Sequence, residues 1–195
     1  MSLVISKEIM GTIAVLIGIA SYAIYAWQSL RGEARPHPLS WLIFGILSGT
    51  GYLVQLDQAA GPGSWVTGIT TVVCLLLCVT SFWQGERTFP WYEWAFLSAA
   101  ALVFGFYLWS REPTLSAVLA TVVAVLGFGP TVTKSWSRPL TDSVTTFTLN
   151  GVKFIPSLFA MNSISIATCV FPGTLVVANL AVALTIYLRR LQVQT

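Results

Sequence analysis

The sequence predicts an all-α integral membrane protein with seven transmembrane helices. Hydrophobic residues make up 55% of the chain, charged residues make up 9%, and the mean hydropathy is +0.77. Such a chain has too little polar surface to cover a water-soluble globule, so its main partner should be membrane lipid. Short connectors separate the apolar runs and leave no room for an extramembrane domain. We therefore expect a multi-pass protein and assign it to the cell (inner) membrane.

Each apolar run has roughly the length of a membrane-spanning helix. About 20 residues cross a hydrocarbon core about 30 Å thick at a rise of about 1.5 Å per residue. The first run lacks the basic start and the small-residue cleavage site of a signal peptide, so we expect it to be retained. The predicted helices span about Ile9–Gln28, Leu39–Leu56, Ser64–Trp83, Trp91–Ser110, Thr114–Val132, Ser143–Asn162 and Val170–Leu188.

Basic residues near the predicted helix ends indicate the orientation. Cytoplasmic loops are enriched in Lys and Arg. With the N terminus outside, only Lys7 and Arg111 fall on the outer side, so the prediction is N-out and C-in. The net charge of +3 belongs to loops and termini and implies no nucleic acid. The basic residues on the inner side are Arg31, Arg35, Arg87, Lys134, Arg138, Arg189 and Arg190.

A basic stretch from Gly129 to Ser143 has an echo in the first half, from Gln28 to Ser40. The predicted third and seventh helices also both begin with a Pro-Gly pair, at Pro62 and Pro172. Helices one to three therefore match helices five to seven, which predicts 3+1+3 parallel repeats of three-helix bundles. The first repeat is 1–84, the linker helix is in 85–112 and the second repeat is 113–195. Aligned without a gap, the matched pairs are Arg31/Lys134, Arg35/Arg138, Pro36/Pro139, Ser40/Ser143 and Phe44/Phe147.

Both copies carry part of a known loop motif. Pro130-Thr131 in the second copy and Trp27-Gln28 in the first each keep one half of a Pro-Gln dipeptide, and Lys134-Ser135 and Ser143 follow it. Together with the 3+1+3 plan and the N-out topology, these residues resemble the PQ-loop superfamily. That superfamily includes the SWEET sugar transporters, the cystinosin-like transporters and the bacterial PnuC vitamin transporters. The resemblance implies a transporter, leaves its substrate open, and allows a homo-oligomer, because PQ-loop relatives often assemble further.

Polar residues deep inside the predicted helices carry the functional signal. Asn150 and Lys153 are three residues apart, so they share one face of the sixth helix, about 10 to 15 Å from its inner end. Asn179 lies at a similar depth in the seventh helix. An unpaired ammonium at mid-bilayer costs at least about 3 kcal/mol, so Lys153 should face the bundle interior. Since no Asp or Glu lies mid-membrane, the lysine is neutral, solvated in a cavity, paired with an incoming anionic group, or held by helix carbonyls and Asn150.

These residues lead to the hypothesis of a facilitator for a small polar solute, which could carry an anionic group. The solute would bind in a central cavity between two three-helix bundles that alternate in access. SWEET-like proteins place asparagines of their third and seventh helices in the pocket; Asn179 matches this pattern, whereas Ile69 stands in the other place. No ATP-binding loop, cofactor site or mid-membrane carboxylate is apparent, which favours facilitated diffusion. The expected walls from the first half are Trp41, Tyr52, Gln55, Trp65 and Thr70.

Two prolines in the second half are hinge candidates. Pro130 and Pro156 each remove a backbone hydrogen bond from a predicted helix and crowd the preceding turn, which can bend the helix. Prolines are also tolerated in membrane helices for packing reasons, so packing is the alternative interpretation.

Other classes of function fit the sequence less well. A receptor or assembly partner could use the same scaffold, because fold does not fix function. An intramembrane enzyme lacks a set of catalytic residues at one depth, and His37 is the only histidine. A pigment protein with a Schiff base on Lys153 would lack the expected lysine in the seventh helix. The Cys74 and Cys78 pair has no nearby histidine or carboxylate, so we expect no metal.

Overall fold

The computed structural model describes residues 6–32, 36–84, 89–137 and 139–193, and helices form all of the regular structure in these ranges. Short 3-10 turns, Gly61–Ser64 and Pro139–Thr141, precede two of the α-helices. The α-helices are α1 Lys7–Leu30, α2 Pro38–Asp57, α3 Trp65–Gln84, α4 Trp91–Ser110, α5 Pro113–Ser137, α6 Val144–Val152, α7 Phe154–Phe159 and α8 Ile166–Val193.

Within the described residues, six helices are long and apolar enough to cross a membrane: α1 to α5 and α8. Large apolar side chains cover the outside of the bundle, as Leu16, Leu102 and Val177 illustrate. Water would not favour so much exposed apolar surface, whereas lipid would accept it. These features support a membrane-embedded protein, as the composition predicted.

The bundle has two ends, which we name after a residue at each. At the Lys7 end, α1 begins, α2 ends and the α7–α8 connector lies, and the Lys7 Nζ donates a hydrogen bond of 2.8 Å to the Met161 carbonyl. At the Gln28 end, α1 and α8 end and the α5–α6 connector lies, and the Gln28 Nε2 is 3.4 Å from the Ser143 Oγ.

The orientation of these ends in a membrane remains a prediction. Arg35, Arg87 and Arg138 lie outside the described residues, as does the side chain of Lys134. The other basic residues assigned to the inner side, such as Arg189 and Arg190, lie at the Gln28 end.

The helices pack in a similar order in both halves of the chain. Helix α3 lies against both α1 and α2, and α8 lies against both α5 and α6. Between the halves, α1 packs on α6 and α7, and α2 packs on α5, while α4 covers α2 and α5. The shared core is apolar and includes Leu47, Val66, Phe154 and Ile186.

The sixth predicted segment is two helices, so the prediction of one continuous helix was wrong. The helical hydrogen-bond pattern is interrupted at Lys153, although the backbone of that residue keeps helical angles. Pro156 explains the interruption, because a proline has no N–H to donate to the carbonyl four residues earlier. In α7 the proline falls in the first turn, where its missing N–H needs no partner.

The last helix begins at Ile166, so the predicted start at the Pro-Gly pair was also wrong. Pro172 lies inside α8 and leaves the carbonyl of Thr168, four residues earlier, without its usual helical donor. The Nε2 of Gln55 on α2 donates to that carbonyl at 3.0 Å. This bond from a neighbouring helix allows α8 to continue through the proline.

The stretch from Gly129 to Ser143 is less of a loop than the sequence indicated. Helix α5 continues through position 130 to Ser137, and a 3-10 turn follows from Pro139. The hinge role of Pro130 stays a prediction, since its side chain lies outside the described part of the chain.

Candidate functional site

A cavity of about 710 Å³ runs from the Gln28 end into the middle of the bundle. Leu140 and Asp142 from the α5–α6 connector and Arg190 from α8 line its mouth. Lys153 and Phe171, well inside the bundle, line its deep part. The cavity is therefore a one-sided opening that reaches the polar residues predicted from the sequence.

Lys153 is the most buried charged side chain of this cavity, with 1% of its surface exposed. Its Nζ donates to the Tyr22 hydroxyl and to the Asn150 Oδ1, each at 2.9 Å. The same nitrogen lies 4.2 Å from the ring centroid of Tyr22 and 5.0 Å from that of Phe154. Both acceptors are uncharged, so hydrogen bonds and ring faces replace the carboxylate that a buried ammonium usually pairs with.

Among the described residues, the two amides that line the cavity with Lys153 each have one polar atom without a hydrogen-bond partner. Asn150 uses its Oδ1 for Lys153, which leaves its Nδ2 as a donor in the cavity lining. The Asn179 Nδ2 donates to the Leu175 carbonyl of its own helix at 2.8 Å, which leaves its Oδ1 as an acceptor. The deep part of the cavity thus combines the Lys153 amine, an amide donor and an amide acceptor.

Aromatic rings form much of the remaining wall. Trp41 meets Tyr25 edge to face at 5.0 Å and Tyr22 at 6.5 Å, and Phe44 meets Phe128 at 5.6 Å, all between ring centroids. Four of these residues were not predicted as wall residues: Tyr22, Tyr25, Phe44 and Phe128. Tyr22 and Tyr25 lie three residues apart on α1, as do Trp41 and Phe44 on α2, so helical spacing was the available signal. Only the packing of α1, α2 and α5 shows that these faces meet.

The cavity brings together five of the eight predicted binding residues: Trp41, Thr70, Asn150, Lys153 and Asn179. The other three, Tyr52, Gln55 and Trp65, were placed wrongly. Tyr52 and Trp65 line a separate pocket of about 430 Å³ at the Lys7 end. Gln55 is buried against the Thr168 carbonyl. The error is one of depth along the bundle axis. Tyr52 lies about 16 Å beyond Trp41 along α2, at about 1.5 Å per residue, and so reaches the opposite end of the bundle.

Contacts of the α2–α3 connector with α7 and with the α7–α8 connector close the Lys7 end. The Asn162 amide N–H donates to the Ala60 carbonyl at 2.9 Å, and the Ser157 hydroxyl donates to the Gly63 carbonyl at 2.7 Å. A Cβ on Gly61, which has φ of +64°, would lie 2.1 Å from the Asn162 Nδ2. Only glycine therefore allows this approach, and we call these contacts the seal.

Charged residues at the mouth of the cavity hold its connectors in place. The Arg190 Nε and Nη2 donate to the carbonyls of Pro139 and Asp142, at 2.9 and 2.6 Å. The His37 Nδ1 lies 3.1 Å from a carboxylate oxygen of Glu93 on α4. These bonds tie α8 to the α5–α6 connector and α2 to α4 around the opening.

The fold and the site define a membrane-embedded helical bundle with an internal polar cavity open at one end. No family model matches this chain, and no curated protein or solved structure shows significant similarity to it.

Proposed function

We propose that this protein is a membrane facilitator that carries a small polar solute by alternating access. The observation that carries the proposal is the one-sided cavity, which opens at the Gln28 end and stops at a seal at the Lys7 end. A passage closed at one end and open at the other is the arrangement expected of one state of such a carrier.

The packing of the two halves supports two bundles that move against each other. In each half the last long helix lies against both of the others, and α4 joins the halves. We therefore propose that α1 to α3 and α5 to α8 are the two moving units, related as 3+1+3 parallel repeats. In the N-out orientation, the structure represents the inward-open state.

Locking the seal tests this proposal. Ala60 and Asn162 are joined by a backbone hydrogen bond, so Ala60→Cys with Asn162→Cys places two thiols close together. The native Cys74, Cys78 and Cys169 would first be replaced by Ala, since all three are free thiols. Proteoliposomes would then be assayed for counterflow of whichever solute from a panel of small sugars, amino acids and carboxylates raises the melting temperature.

We expect oxidation to stop counterflow in the double-cysteine protein and a reductant to restore it. Each single-cysteine protein, treated in the same way, is the matched control and should remain active. Counterflow that continues in fully cross-linked protein would refute alternating access through this seal. Absence of counterflow for every solute that binds would refute transport and favour a receptor.

A further inference from the structure

We infer that the solute is a monocarboxylate with an aromatic ring, bound through its carboxylate at Lys153 and Asn150 and through its ring at the aromatic wall. This inference rests on the proposed function and names the class of solute for the same cavity. It rests on the buried Lys153, on the Asn150 Nδ2 donor beside it and on the aromatic rings of the cavity lining.

The charge of the cavity favours one negative charge on the solute. An ammonium has three N–H donors, and Lys153 gives two of them to the uncharged Tyr22 hydroxyl and Asn150 Oδ1. The lining also holds His37, which contacts the Glu93 carboxylate, and Arg190 and Asp142 at the mouth. With Lys153 as an ammonium and His37 neutral, the lining side chains carry two positive charges and one negative charge. Burying a cation at this depth costs about 3 kcal/mol, and an incoming anion offsets that cost. A monoanion would bring the formal charge of these side chains and the solute to zero.

The geometry of the donors fits two oxygens on one carbon. Lys153 and Asn150 lie three residues apart on one helical face, and both line the cavity. The third N–H of the ammonium and the Asn150 Nδ2 can each donate to one carboxylate oxygen. A primary amide has one oxygen and would turn its own N–H groups toward these donors, so it should bind much more weakly.

The aromatic part of the cavity lining suits a flat ring. Trp41, Phe44, Phe128 and Phe171 all line the cavity. Ring pairs are worth about 0.5–1.5 kcal/mol beyond the area they bury. A volume of about 710 Å³ lies in the usual range for a site that holds a small organic molecule.

Three probes on the purified full chain test the inference. We would measure binding by isothermal titration with 3-phenylpropanoate, its neutral amide 3-phenylpropanamide, and propanoate, which lacks the ring. We expect the phenylpropanoate to bind at least about tenfold more tightly than either of the others, as one charge-assisted contact or one ring site would require. Equal binding of acid and amide would overturn the carboxylate site, and equal binding of both acids would overturn the ring site.

Variants separate a specific site from general attraction to a basic protein. Lys153→Met should weaken phenylpropanoate binding at least about tenfold. Arg189→Gln is the matched control, because it removes a positive charge at the Gln28 end that does not line the cavity, and it should bind as wild type does. Equal losses in both variants would refute the site. The comparison of probes on wild-type protein stays decisive even if a variant fails to fold.

Failure of this inference can be told apart from failure of the proposed function. Counterflow of a neutral solute without any binding of phenylpropanoate would refute the carboxylate site and leave transport intact. Binding of phenylpropanoate without counterflow would refute transport and leave the site intact.

Discussion

Gly63 is the position where one added carbon atom should open the seal. A Cβ on Gly63 would lie 2.5 Å from the Met161 Sδ, 2.8 Å from the Ser157 carbonyl oxygen and 2.9 Å from the Met161 Cα. Favourable contacts between carbon atoms lie at about 3.5–4.0 Å, so each of these distances is a clash. The methionine sulfur can swing away, but the other two atoms belong to the backbone. Gly63→Ala therefore requires the α7–α8 connector to shift.

The size of the effect follows from the cost of overpacking. Inserting a carbon atom into a packed site costs about 1–3 kcal/mol. If opening the seal relieves the clash, this cost falls on the closed state alone. Since about 1.4 kcal/mol is tenfold in an equilibrium, the open fraction should rise about 5- to 150-fold. Gly173→Ala is the control, because a Cβ there meets no atom within 4 Å among the described residues.

Hydrogen–deuterium exchange with mass spectrometry measures the opening directly. The Asn162 amide N–H is bonded to the Ala60 carbonyl, so it exchanges when the seal opens. Peptides that contain this amide should exchange about 5- to 150-fold faster in Gly63→Ala and at the wild-type rate in Gly173→Ala. Peptides from the Gln28 end should not change in either protein. Unchanged exchange at Asn162 would refute the seal, and faster exchange throughout the chain would indicate general unfolding instead.

Three further substitutions test polar groups between helices. Thermal melts in detergent, together with measurements of the free energy of unfolding of wild type and variant, would check each. Lys153→Met should change the free energy of unfolding by no more than about 2 kcal/mol, because the lost hydrogen bonds and the removed burial cost of about 3 kcal/mol nearly cancel; failure to fold would contradict this balance. Tyr107→Phe removes the hydroxyl that donates to Asp57 and should cost about 1–3 kcal/mol, so an unchanged melt would contradict that bond. Gln55→Leu should change stability by less than about 1 kcal/mol, because it frees the Thr168 carbonyl but also removes a buried Oε1 without a hydrogen-bond partner among the described residues. A loss clearly above about 1 kcal/mol would refute this balance.

That the chain folds into long apolar helices suited to a membrane could be predicted from the sequence, because hydropathy and length dominate there, although six helices and not seven are long enough to cross among the described residues. The fourth helix, Trp91–Ser110, has the predicted bounds. The errors lie at prolines, where a local rule depends on a partner elsewhere. Pro172 was expected to begin a helix, and the bond from Gln55 that lets the helix pass through it comes from α2, more than a hundred residues earlier.

The residues of the candidate site also fall into those that the sequence could predict and those that it could not. Asn150, Lys153 and Asn179 could be found because polar residues in an apolar run are rare and costly. The partner of Lys153 could not, because Tyr22 on α1 looks like any other aromatic residue until α1 packs on α6. Tyr52 and Trp65 were misplaced because residue type indicates a wall, whereas helix direction decides which end of the bundle that wall faces.

Helix α7 is short and connects two features of the bundle, the buried lysine before its first residue and the seal near its last residue. Lys153 precedes it, and Ser157, near its far end, holds the Gly63 carbonyl of the seal. Six residues span only about 9 Å, so one short helix joins Lys153 to the seal. In the proposed carrier, a solute that binds Lys153 more tightly when the seal is open would favour opening, and opening of the seal would strengthen solute binding by the same free energy. In the proposed carrier, solute binding and gating would therefore act through the same short helix.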